Sequence, residues 1–195
     1  MSSLINYNDP RTDKFTSHSY LELYDALLNS KKDTATHVLE VGIGNICKYN
    51  GGSIKMWYDY FQNAKVYALE INNLDYICDD IKELDRVKLF TSVNAYDEKV
   101  VNQHLQPLNI KFDMILDDGD HELRSMISFI QLYCPLLKED GVLIIEDIPK
   151  WEWIDILTMN VPEQYKSYIE TYDLRNIKNR FDDIVFVVNK AKKLN

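Results

Sequence analysis

Short apolar runs alternate with helix-spaced segments along most of the chain, and this alternation restricts the fold more than any other feature. "HVLEVG" (37–42), "KVYALEI" (65–71), "VKLFTS" (87–92), "FDMILDD" (112–118) and "GVLIIEDI" (141–148) read as buried strands. Between them, "GSIKMWYDYF", "LDYICDDIKEL", "DEKVVNQHL" and "LRSMISFIQLYCPLL" carry helical spacing, as does "SYLELYDALLNS" before the first strand. Strand–helix alternation implies right-handed crossovers and a mostly parallel sheet covered on both faces. The last two runs, "YKSYIETYDL" and "DIVFVVNKA", have only a polar turn between them and predict an antiparallel hairpin. The expected architecture is α/β, a seven-stranded sheet closed by that hairpin. No linker or repeat divides it, so residues 1–195 are read as a single domain.

Bulk properties remove several function classes. Net charge is −9, and the basic residues are scattered, so a nucleic-acid partner is disfavoured. No apolar run is long enough to span a bilayer, and "MSSLINYNDPRTDK" has no signal-peptide core. Cys47, Cys78 and Cys134 are odd in number, lie in apolar segments and form no CxxC pair. That usage fits a reduced, cytoplasmic protein and argues against a cysteine zinc site.

A parallel sheet finished by a hairpin resembles the layout of class I methyltransferases that use S-adenosylmethionine (SAM). In "LEVGIGN", Gly42 and Gly44 follow the first strand and would let the backbone turn sharply against a ligand. A dinucleotide fingerprint needs a third glycine where Cys47 stands, and tight strand-to-helix turns also need glycine on structural grounds alone. Glu70 ends the second strand, the level at which a carboxylate accepts from both ribose hydroxyls of an adenosyl ligand. Glu40 and Asp117 could face the sulfonium or amino group of SAM. Asn94 is an adenine-side candidate or a turn asparagine.

The carboxyl ends of the fourth and fifth strands carry "ILDDGDH" and "LIIEDI". Adjacent strands run about 4.8 Å apart, so Asp117, Asp118, Asp120, Glu146 and Asp147 are expected to converge on one rim. Such crowding is relieved by a divalent cation, and hard oxygen ligands without cysteine point to Mg²⁺, Mn²⁺ or Ca²⁺. The competing reading is a set of helix caps, with Asp120 capping the helix that begins near Glu122. His121 stands at the same rim, where it could take a proton from a metal-acidified hydroxyl.

"TDKFTSHSYLELYDALL", "VLEVGIGN…GGSIKMWYDYF", "ILDDGDH" and "LIIEDI" together resemble the macrocin and mycinamicin sugar O-methyltransferases. Wider relatives are the rhamnosyl O-methyltransferases and cephalosporin-hydroxylase-like proteins. The resemblance runs from about Thr12 to Asp147, and more loosely through "RFDDIVFVVNK". It implies a Rossmann-like class I methyltransferase fold, SAM as methyl donor, Mg²⁺ on neighbouring sugar hydroxyls, metal carboxylates at Asp118, Glu146 and Asp147, and a base at His121. It also implies that Asp13, Lys14, His18 and Tyr20 fold over the SAM pocket as a lid, whereas the residues alone equally allow a cover for the sheet edge. Many members have Ser at the position of Asp120. The antibiotic enzymes carry a large N-terminal domain that is not in this sequence, so their specificity and assembly do not carry over.

The sequence is therefore read as a SAM- and Mg²⁺-dependent O-methyltransferase acting on a sugar hydroxyl, in a nucleotide sugar or a glycan. A catechol or amine methyltransferase, a nicotinamide-dependent oxidoreductase and a silent SAM-binding subunit are the alternatives. Trp151 and Trp153 are either helix packing or a sugar-stacking wall. Pairing into a homodimer is common for domains of this size.

Overall fold

A computed structural model describes residues 3–44 and 50–192. The expectation about Cys47 lies outside the described residues. In chain order the elements are α1 (Asp13–Thr16), α2 (Leu21–Leu28), β1 (His37–Val41), α3 (Gly52–Tyr60), β2 (Lys65–Leu69), α4 (Asp79–Lys82), β3 (Val87–Phe90), α5 (Glu98–His104), β4 (Phe112–Asp117), α6 (Leu123–Tyr133), β5 (Leu137–Ile145), α7 (Trp153–Asn160), β6 (Ile169–Asp173), α8 (Arg175–Lys178) and β7 (Ile184–Asn189). Among the described residues, seven strands form one sheet in the order β3-β2-β1-β4-β5-β7-β6. The first five are parallel, and β7 runs antiparallel to both β5 and β6.

Side chains alternate across the sheet, and each face has its own core. Val38, Val66, Met114, Leu116, Val142 and Ile144 pack with α2 and α3 around the fully buried Trp57. Leu39, Val41, Ile115, Leu143 and Ile145 pack on the other face with α5, α6 and α7. α6 shows why its segment is helical: Met126, Phe129, Ile130 and Tyr133 fall three and four apart and are all buried.

Two expectations need correction. "LDYICDDIKEL" is a 3₁₀ turn followed by the single turn of α4, not one continuous helix. Asn50 is the cause: its side chain accepts from Cys78 N–H and donates to the Tyr76 carbonyl, taking backbone groups that a helix would pair internally. The hairpin loop also contains the one-turn α8, where only a turn was expected. From α8, Lys178 Nζ reaches back to the carbonyls of Phe15, Thr16 and His18 and ties down the N-terminal arm. No helix among the described residues is long and apolar enough to cross a membrane.

Candidate active site

Beyond the carboxyl ends of β1, β2 and β4 lies a cavity of about 790 Å³. Gly42 and Gly44 turn the chain there with φ of +87° and +108°. A Cβ on Gly42 would stand 1.9 Å from the Asp118 carbonyl oxygen, so the glycine turn and the loop after β4 are in contact through a position that admits no side chain. Glu70 ties the turn to β2: its Oε2 accepts from Ile43 N–H at 2.9 Å, and Oε1 accepts from the backbone and side chain of Asn72, each at 2.8 Å. Gly42, Gly44, Glu70 and Asn94 all line the cavity, together with Pro10 and Arg11 from the arm.

The five rim acids do not form one cluster. Asp117 is the last residue of β4, and strand alternation turns it away from Asp118, whereas Glu146 and Asp147 follow β5 and both bond the N-terminal segment. Asp117 points to the α5–α6 face and accepts from the Tyr96 hydroxyl at 2.7 Å. Burial there, partly opposed by Tyr96, pushes its carboxyl up to about 7. Asp120 braces the loop before α6, accepting from Glu122 N–H at 3.1 Å and from the Ser125 hydroxyl at 2.6 Å, but Glu122 is the N-cap of that helix and no side chain caps it.

Glu40, Asp118 and Glu146 fall on the other face, and Lys14 is among them. Its side chain is 0% exposed; Nζ lies 2.7 Å from Asp118 Oδ2, bonds Glu146 Oε1 and stands 3.7 Å from Glu40 Oε1. Burial would lower this ammonium, yet the three carboxylates hold it well above the ordinary lysine value. The second oxygen of each glutamate is engaged, while Glu40 Oε1 has no hydrogen-bond partner among the described residues. Glu146 accepts from the Tyr24 hydroxyl, and Glu40 accepts from the indole N–H of Trp57. Burial nevertheless pushes Glu40 up to about 7 and Glu146 up to about 8, both partly offset by Lys14. One lysine thus faces more buried negative charge than it balances.

Asp118 and Asp147 meet at the cavity mouth with His121. One donor atom from each lies within 4.8 Å of the others. His121 Nε2 is 3.9 Å from Asp118 Oδ1 and 3.7 Å from Asp147 Oδ2, too long for hydrogen bonds, so the half-exposed ring is held by neither. Both His121 and Asp147 have φ of +55°, a backbone form uncommon outside glycine and frequent at functional sites. Burial and the neighbouring Asp118 charge both raise the Asp147 carboxyl.

The arm residues differ from the lid expectation. Asp13 lines the cavity wall with Thr16, but Lys14, His18 and Tyr20 are buried beneath its floor, bonded to acids. Uncompensated carboxylates below the sheet end attract these donors more strongly than the open cavity does. Trp153 opens α7 and packs against the α6-side core, while Trp151 is exposed beside the Arg175 guanidinium; neither lines the cavity. Tyr96, which no sequence motif marks, and Asp183, to which the sequence reading gives no role, both bond site acids or their partners.

Sheet order, terminal hairpin and a glycine-turn cavity define the fold as that of a class I methyltransferase. Its solved likeness includes the MycE methyltransferase of the mycinamycin biosynthetic pathway in complex with Mg, SAH and mycinamycin VI, with a TM-score of 0.71 and 20% identity over 91% of this chain and 50% of that one. Among curated proteins the chain is 30% identical over 135 residues to the L-olivosyl-oleandolide 3-O-methyltransferase of Streptomyces antibioticus, covering 68% of this chain and 32% of that protein. It is 25% identical over 139 residues to the mycinamicin VI 2''-O-methyltransferase of Micromonospora griseorubida, covering 70% and 33%. The chain is thus similar to sugar O-methyltransferases and spans about a third of the length of these curated relatives. No family model matches the sequence.

Proposed function

We propose that the chain is a SAM-dependent, Mg²⁺-dependent O-methyltransferase acting on a sugar hydroxyl. The carrying observation is the placement of Asp118, His121 and Asp147 at the mouth of the cavity that Gly42, Gly44 and Glu70 shape. The residues fit both groups the proposal requires. Positive-φ glycines leave room for a ligand against the backbone, and Glu70 Oε2, which accepts one hydrogen bond, keeps acceptor capacity for a ribose hydroxyl. The oxygens of Asp118 and Asp147, in a region short of positive charge, suit a hard divalent cation.

When bound, SAM supplies the methyl group and the cation acidifies a sugar hydroxyl. Asp118 and Asp147 would hold the cation, while Gly42, Gly44, Glu70 and Asn94 would seat the cofactor. His121, with Nε2 free of short bonds, would take the hydroxyl proton as the oxygen becomes nucleophilic. Lys14 would keep Glu146 and one oxygen of Asp118 fixed from behind. The names of the relatives support a sugar acceptor, and the arm wall at Arg11, Asp13 and Thr16 would exclude water from the cofactor side.

Calorimetric titration with S-adenosylhomocysteine, with and without Mg²⁺, followed by labelled SAM and a panel of sugar nucleotides and glycosides, tests the proposal. Saturable binding and a labelled methyl ether are expected. A folded sample that binds no S-adenosylhomocysteine in either condition overturns it.

A further inference from the structure

Asp147 is held from two directions, and the second leads to a residue far away in sequence. Its Oδ1 accepts from the Tyr20 hydroxyl and lies 3.2 Å from His18 Nδ1. The same Nδ1 lies 2.6 Å from Asp183 Oδ1. Both neighbours of Nδ1 are carboxylate oxygens, so this nitrogen carries the proton and donates. On the other side of the ring, Nε2 faces Arg180 Nη2 at 3.4 Å and Asp13 Oδ2 at 3.8 Å. The ring is stacked on Tyr20, with centroids 5.0 Å apart. Asp183 is fully buried, and its Oδ2 has no hydrogen-bond partner among the described residues, so the carboxylate's bonding is spent on His18. The sheet puts Asp183 there: Ile148 N–H bonds the Ile184 carbonyl, bringing the start of β7 beside Asp147.

We propose that Asp183 and His18 are positioning residues that orient Asp147 for a divalent cation. Asp183 fixes the ring of His18, and His18 with Tyr20 fixes Oδ1 of Asp147. Oδ2 is thereby left facing Asp118 and His121 at the cavity mouth. Outer partners of a metal ligand typically change metal affinity by about 10–100-fold when removed. This assignment rests on the metal-dependent reading given above, and it reassigns His18 from a cofactor contact to a support of the cation site.

Mn²⁺ binding followed by electron paramagnetic resonance tests it on the full chain, with S-adenosylhomocysteine titration run in parallel. His18→Ala should weaken Mn²⁺ about 10–100-fold and leave S-adenosylhomocysteine affinity at the wild-type value. His18→Asn places an amide N–H near the position of Nδ1 and should keep most of the Mn²⁺ affinity, although it removes the stacked ring. Asp183→Asn should weaken Mn²⁺ as His18→Ala does. Equal losses for His18→Asn and His18→Ala would make the ring a packing element and overturn the proposal, as would unchanged Mn²⁺ affinity in folded His18→Ala. A wild-type chain that binds S-adenosylhomocysteine but no Mn²⁺ would instead remove the cation site itself, and this positioning role with it.

Discussion

Lys14 Nζ lies 2.7 Å from Asp118 Oδ2, joining the N-terminal arm to the loop after β4 through an ion pair closed to solvent on the lysine side. The same ammonium serves Glu146, so its loss leaves two acids without their cation. Removing one member of a buried ion pair costs about 3–5 kcal/mol. Lys14→Met should lower the unfolding free energy by that amount in urea titrations at a pH above the Glu146 value of about 8. A loss within the error of the titration would mean that the acids are neutral in the native state.

Acids with raised values give the metal-free protein a predictable pH response. Glu40 and Glu146 move from an ordinary 4.5 to about 7 and about 8 in the folded chain. Between about 4.5 and 8 the folded state therefore binds more protons than the unfolded state, and stability falls as pH rises. Lys14 stays charged across this window and does not reverse the slope. Thermal melts in EDTA should give a lower midpoint at pH 8 than at pH 5, with added Mg²⁺ narrowing the gap. A midpoint that rises from pH 5 to pH 8 contradicts the assignment.

His121 is expected to contribute to the chemical step and little to cofactor binding. His121→Ala should reduce kcat by about 10²–10⁴-fold and leave S-adenosylhomocysteine affinity unchanged in calorimetry. Parallel losses in both quantities would make the residue a structural part of the cavity.

Gly42→Ala should abolish cofactor binding while also perturbing the cation loop, since its Cβ would meet the Asp118 carbonyl. The φ of +87° alone adds about 1–3 kcal/mol of strain for a residue with a side chain. Calorimetry and a urea titration on the same preparation separate the two effects. Wild-type affinity in this variant would show that the turn can open without cost.

Much of the fold was legible because its strands announce themselves as continuous apolar runs and its helices by three-four spacing. The α4 segment departs from its helical reading because the competing polar partner, Asn50, is 26 and 28 positions away from the backbone groups it takes, and a local pattern cannot register that. At the site, the glycine turn and Glu70 fell where the motif placed them, lining the cavity. The error over the acids was one of parity. "LDDGDH" puts two aspartates side by side, and a strand sends the first to Tyr96 and the second to Lys14. Asp183 falls in the loosely matching "RFDDIVFVVNK", but no role attaches to it in the sequence because its meaning comes from the pairing of β5 with β7.

The grip of Lys178 on the carbonyls of Phe15, Thr16 and His18 has a consequence for biosynthesis. Chains emerge from the ribosome N-terminus first, so the arm leaves the exit tunnel long before its anchor exists. β1 to β5 can pair while Lys178 and β7 are still untranslated. The arm would be anchored, with Lys14 and His18 fixed against the acids, only once residue 178 and β7 have been made. A nascent chain arrested before residue 178 should accordingly carry a formed parallel sheet with an arm still open to protease.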